Sequence, residues 1–337
     1  MKEHFGTLPN GKNATLYWIS NGSMRAQITD LGATLVRLLV PSKRGLHTDV
    51  VLGCSSVDDY IRHDSRLGAT IGRNANRVRN ACFSLGNADV KLEINDGNNN
   101  VHSGPNYYDI RIWDVTEYTE NSITFSLLSP DGDQGFPGNA QVSVKYVLEN
   151  TALKIIYDGV CDKDTVFNMT NHSYFNLAGH ENTTQALKQT LMMPSELFTV
   201  ADNESIPTGE LRNVSGTPMD FRVAKPVGKD IDEPYEPLIL QRGYDHNYLV
   251  SKQPCAVLSS QDSGITMQVF TDCPGIQVYS GNYLNELGKD GVFYGKRSGI
   301  ALETQFFPDS VNHSEWKQPF VPAHSPYHSE TVYQFTW

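Results

Sequence analysis

Short runs in which apolar side chains alternate with polar ones recur along almost the whole chain. Leu16 and Trp18; Met24, Ala26 and Ile28; Ile123, Phe125 and Leu127; Val142, Val144, Tyr146 and Leu148; and Leu153, Ile155 and Tyr157 each follow a period of two. That period puts successive side chains on opposite faces of a strand, so each run predicts a strand with one buried face. Residues 265–270 carry the same signature, with Ile265, Met267 and Val269 alternating against Thr266, Gln268 and Phe270. Between the runs lie Asn21-Gly22, Asp96-Gly97, Asp131-Gly132, Pro137-Gly138 and the stretch from Asn285 to Gly291, whose residue types suit tight turns.

Helical periodicity is scarce. Residues 56–63 suit one or two turns and Val223 to Asp232 another short helix, but neither has a sustained apolar face at i, i+3, i+4 and i+7. The pattern therefore predicts an all-β fold of many antiparallel strands in stacked sheets, with few short helices. No low-complexity linker or internal repeat divides residues 1–337, so a single domain is expected.

Composition narrows the function. A hydrophobic fraction of 39% over 337 residues is enough for a substantial core. The net charge of −11, with Lys and Arg scattered, offers no basic field for nucleic acid. The first residues hold no apolar run suited to a signal peptide, and no stretch approaches the length of a membrane span, so a cytoplasmic protein without a membrane partner is expected. The five cysteines, Cys54, Cys82, Cys161, Cys255 and Cys273, are widely spaced and read as reduced, mostly buried thiols. Neither G-x-G-x-x-G nor a Gly-Lys-Ser/Thr loop occurs, which removes support for a nicotinamide or ATP mechanism. H-E-x-x-H is absent and His172 and His180 lie eight apart outside any helix, so neither a metal nor another cofactor is expected.

Five polar islands carry the chemistry. Residues 68–78, GATIGRNANRV, set Arg73, Asn74 and Arg77 among small neighbours; they suit an oxygen-rich ligand or a solvated arginine pair. His102 sits in the irregular loop 98–105, where it is a binding residue or an ordinary surface histidine. In 166–177, VFNMTNHSYFNL, His172 is crowded by amides that can fix its tautomer, as a proton-transfer group or a buried structural imidazole. In 299–309, GIALETQFFPD, Glu303 interrupts an apolar strand, where a carboxylate is costly without a task or an ion-pair partner. Asp245, in GYDHNY (243–248), is interleaved with aromatics and amides, a mixture that covers apolar sugar faces while binding hydroxyls.

Taken together the islands resemble the aldose 1-epimerase (galactose mutarotase) family over almost the full chain. The matching segments, in order, are GATIGRNANRV (68–78), NNNVHSG, SPDGDQGFPGN (129–139), TNHSYFNLAGH (170–180), IPTGELRNVSGTPMDFR (206–222), GYDHNYLV (243–250), PGIQVYSGNYL (274–284) and SGIALETQFFPDSVNH (298–313). The resemblance implies a large antiparallel β-sandwich with an open cleft, and interconversion of the α and β anomers of free aldohexoses such as galactose and glucose. It makes Glu303 the general base and His172 the general acid, with Glu303 ionised and His172 protonated in the productive state. Arg73, His102 and Asp245 are implied to bind sugar hydroxyls, with Asn74 and Tyr279 beside them. A small-molecule sugar is then the only expected partner, and the chain a monomer or weak dimer. Two departures stand out: Ser103 replaces the first glycine of a His-Gly-Gly pattern, and Val278 stands where phenylalanine is expected, which would reshape an apolar wall of the cleft. Other classes remain: a hexose-6-phosphate mutarotase, a non-catalytic carbohydrate-binding sandwich, and a glycoside hydrolase pairing Asp245 with Glu303.

Overall fold

A computed structural model describes all 337 residues. The alternating segments form strands, and every ladder between them is antiparallel. A five-stranded meander, Lys2–Thr7, Asn13–Ser20, Arg25–Thr29, Thr34–Pro41 and His47–Asp49, pairs its strands in chain order. The nine-stranded sheet is built around Ala140–Glu149, Ala152–Cys161 and Tyr327–Thr336. Its inward residues, Val142, Val144, Tyr146, Leu148, Leu153, Ile155 and Tyr157, are those the alternation marks as buried, and so are Ile265, Met267 and Val269. One run departs from the pattern. Trp18 is half-buried while Ile19 beside it is fully buried; the Trp18 ring lies under the Arg25 guanidinium and donates through Nε1 to Glu3.

A six-stranded sheet positions the functional residues. Its order is Tyr174–Phe175, Ile300–Gln305, Gly275–Tyr279, Asp245–Leu249, Leu197–Ala201 and Pro207–Asn213. The inner side chains of all three sheets, among them Leu38, Val144, Ile276 and Leu302, join one apolar core. Burial of this kind contributes roughly 25 cal/mol per Å² of apolar surface removed from water.

Of the two expected helices, one forms. Val57–Arg62 is a six-residue α-helix started by Ser56, whose Oγ accepts the Asp59 N–H at 3.2 Å. Val223 to Asp232 is instead turns and the short edge strand Lys225–Pro226, because Pro226 cannot continue a helix and Gly228 weakens one. The second α-helix is Glu236–Gln241, which the periodicity does not reveal. All five cysteines are free thiols, and all but Cys82 are buried.

Candidate active site

Strand parity decides which side chains of the six-stranded sheet reach the cleft. In the register Gln277 lies opposite Glu303 and Asn247, and Tyr279 opposite Asp245 and Ala301. Residues on one face recur every second position, so Asp245, Gln277, Tyr279 and Glu303 point the same way, while Ile276, Val278 and Leu302 enter the core. Together with loops from the rest of the chain, this face bounds a cavity of about 620 Å³. That is the size of a small-molecule site, and only 6 of its 24 lining residues are hydrophobic, which suits a ligand covered in hydroxyls.

His172 reaches Glu303 because its segment bridges two pieces of sheet. Thr170–Asn171 pairs with Thr70–Ile71, and Tyr174–Phe175 pairs with Ala301 and Ile300. Between them the His172 backbone donates to Ala69 and accepts from Gly68. The imidazole Nε2 then stands 3.6 Å from Glu303 Oε1, with both residues buried. His172 Nδ1 and Glu303 Oε2 have no protein partner.

Electrostatics set where the proton of this pair rests. Burial, reinforced by the Asp245 charge and opposed by Arg77, pushes the Glu303 carboxyl well above its ordinary range. Burial also pushes the His172 imidazole down to about 4, with the Arg66 charge acting in the same direction. The folded protein thus favours a neutral acid beside a neutral imidazole. The ionised pair expected for the productive state carries the same single proton, moved across 3.6 Å.

His102 approaches from the loop, its ring centroid 5.4 Å from that of His172. Its Nδ1 accepts the Asn76 N–H at 3.2 Å, so in the neutral ring the proton lies on Nε2. Burial, helped by His172, Arg66 and Arg77, holds the ring neutral. Donor atoms of His102, His172 and Glu303 lie within 4.8 Å of one another, a spacing that would admit a metal ion. The Asn76 bond instead makes His102 Nε2 a hydrogen-bond donor, without the free lone pair a metal requires.

Asp245 accepts from Gln277 Nε2 at 2.7 Å, and burial raises its carboxyl against the Arg77 charge. Tyr279 and Tyr174, ring centroids 5.8 Å apart, wall one side of the cavity. Tyr279, Asp245 and His102 therefore line the cavity as the sequence suggests.

Arg73 and Asn74 do not. Arg73 is fully buried, and its guanidinium donates to Pro137 O, Thr165 Oγ1 and Ser129 Oγ at 2.8, 3.0 and 2.7 Å, pinning the 129–138 loop. Asn74 is turned toward Asn168, whose amide donates to its Oδ1 at 3.3 Å. Asn76 and Arg77, later in the same segment, are the residues that line the cavity. Arg77 is oriented by Asp96, which accepts from its Nε at 2.7 Å. Val278 is fully buried in the core, so it shapes no wall of the cleft. Gln277 escaped the sequence reading, although alternation from Tyr279 places it on the same strand face, where it supports Asp245 without lining the cavity.

Known proteins agree with this architecture. The family model described as aldose 1-epimerase matches residues 15–334. An aldose 1-epimerase of Haemophilus influenzae is 43% identical over 92% of this chain and 91% of its own. A galactose mutarotase of Sus scrofa is 35% identical over 98% and 97%. Among solved structures, galactose 1-epimerase from Lactobacillus acidophilus superposes with a TM-score of 0.87 at 27% identity, covering 100% of this chain and 98% of that one. An aldose epimerase homologue from C. elegans reaches 0.88 at 29%, covering 95% and 98%. With a buried histidine and glutamate facing each other in a polar cleft on this fold, the chain belongs to the aldose 1-epimerase family.

Proposed function

We propose that the protein interconverts the α and β anomers of free aldohexoses, galactose and glucose among them, with Glu303 as general base and His172 as general acid. The observation that carries the reading is the 3.6 Å approach of His172 Nε2 to Glu303 Oε1 on the buried floor of the cleft. Glu303 takes the proton of the C1 hydroxyl while His172 gives one to the ring oxygen. The bond from C1 to the ring oxygen opens, the aldehyde turns about C1–C2, and the reverse transfers close the ring on its other face. No proton or electron is gained or lost overall. Positioned groups of this kind each contribute about 10²–10⁴-fold.

Arg77, His102 Nε2 and Asp245 are assigned to the sugar hydroxyls, with Gln277 holding Asp245 in place, and the tyrosine wall to an apolar sugar face. A neutral sugar fits better than a sugar phosphate. Arg66 is held by Asp64 and Asp109 and Arg77 by Asp96, so these cavity-lining guanidinium groups are already paired. The reading extends to one catalytic domain over 1–337, supported by the shared apolar core. It also takes the chain to act in the cytoplasm, as a monomer or weak dimer in hexose metabolism, supported by its unpaired thiols.

Polarimetry on freshly dissolved α-galactose and α-glucose, with glucose 6-phosphate alongside, tests the assignment. Faster anomer exchange of the free sugars is expected, and its loss in Glu303→Gln by at least roughly 10³-fold with native circular dichroism. Near-normal exchange in that variant would sink the role given to Glu303.

A further inference from the structure

The Ser103 hydroxyl does work that strand backbone does elsewhere. Asn100 and Val101 pair with Val78 and Arg77 as a short antiparallel ladder. Beyond it the chain turns away, because His102 and Ser103 adopt φ of 53° and 59° in the left-handed region that favours glycine. The pairing nevertheless continues for two more residues, through one backbone bond and three that use side-chain atoms. His102 N–H donates to Asn76 C=O at 3.0 Å while Asn76 N–H donates to His102 Nδ1 at 3.2 Å. Ser103 Oγ accepts the Asn74 N–H at 2.9 Å and donates to the Asn74 C=O at 2.8 Å.

Asn74 needs that hydroxyl. It is nearly buried, and its bridge to Asn168 is made by the flanking Arg73 C=O and Ala75 N–H, which leaves its own N–H and C=O aimed at Ser103. Buried backbone groups are seldom left unpaired. Ser103 is fully buried, so one hydroxyl satisfies both and ties the 102–104 turn to the segment that carries Asn76 and Arg77.

We infer that Ser103 is a positioning residue: by joining the turn to Asn74 it keeps Asn76 N–H on His102 Nδ1 and so holds His102 Nε2–H as the donor to the sugar. A glycine would relieve the backbone, and the left-handed serine carries a strain that its two bonds offset. The inference rests on the sugar-binding role proposed for His102. Its structural half, the tautomer, can be read without any activity.

The test uses Ser103→Gly, which relaxes the backbone and removes both bonds, and Ser103→Ala, which removes only the bonds. Nitrogen-15 NMR of the imidazoles should show His102 as a single Nε2–H tautomer in the native protein and a tautomer mixture in Ser103→Gly. Loss of a hydrogen bond to a neutral group predicts a rise in KM of about 5–10-fold, with kcat within about threefold. Ser103→Ala should match it in KM and melt at a lower temperature. A single Nε2–H tautomer in Ser103→Gly, or a KM within about twofold of native in both variants, overturns the inference. If the native protein fails to mutarotate any aldose, the function proposed above falls, while the NMR measurement still decides for or against Ser103.

Discussion

Arg73 and Arg77 show what one residue's surroundings decide. They lie four apart in one segment, and nothing in the residue types separates them. The segment has no strand or helix period, so the direction of each side chain is unreadable before the fold is known. In the folded protein one guanidinium is consumed by the 129–138 loop and the other faces the cleft. Arg73→Ala should therefore act on stability, by roughly 3–5 kcal/mol, because it empties a fully buried site and leaves several acceptors unpaired. Arg77→Ala should leave the melting temperature within a few degrees and lower kcat/KM by about tenfold or more. Thermal melts and polarimetry on the two variants separate the roles; equal effects on both observables would contradict them. Glu303 was easier to find, because a carboxylate inside an otherwise apolar strand is conspicuous in any sequence.

At the scale of the strand, adjacent positions have opposite duties. Period-two alternation made the strands legible, and it holds in Gly275–Tyr279 although that strand is buried on both faces. Gln277 supports Asp245 with a 2.7 Å bond and lines up with Glu303 across the ladder, whereas Val278 packs in the core. Val278→Ala should cost about 2 kcal/mol of stability, from two lost methyl groups and the space they leave, with the order of preference among sugars unchanged. Gln277→Ala should raise KM several-fold by releasing Asp245, and also lower stability by about 1–3 kcal/mol, because it empties a buried site and removes a hydrogen bond. Denaturant titration beside kinetics on galactose and glucose checks both, and a changed sugar preference in Val278→Ala would restore that residue to the cleft wall. The missed helix at Glu236–Gln241 has a different cause. It is as short as Val57–Arg62, with no room to establish a 3.6-residue period, and unlike that helix it has no side-chain cap at its start, where Tyr235 stands in place of a serine.

Across the whole molecule, residues far apart in the chain close over Glu303 and His172, and the depth of that burial is what no local pattern reveals. The sequence identifies the two groups through their islands, yet their proton affinities come from the three sheets and the loops around them. Burial disfavours charge on either partner. Adding a second proton to the pair charges the imidazole, which is pushed down to about 4 from an ordinary value near 6.5. Removing the single proton charges the carboxyl, which is pushed well above its ordinary range. On the acid–base roles proposed above the one-proton form is the active one, so kcat/KM should stay level as pH falls through about 6.5 and decline only as it nears about 4. The alkaline limb should lie above the range of an ordinary carboxylate. Arg77 lowers the Glu303 carboxyl, so Arg77→Ala should move that limb to still higher pH. Saturation-transfer NMR of anomer exchange, corrected for the spontaneous rate and read where circular dichroism remains native, measures both limbs. An acid limb centred near about 6.5 would mean that a solvated imidazole, not the buried His172, controls the reaction.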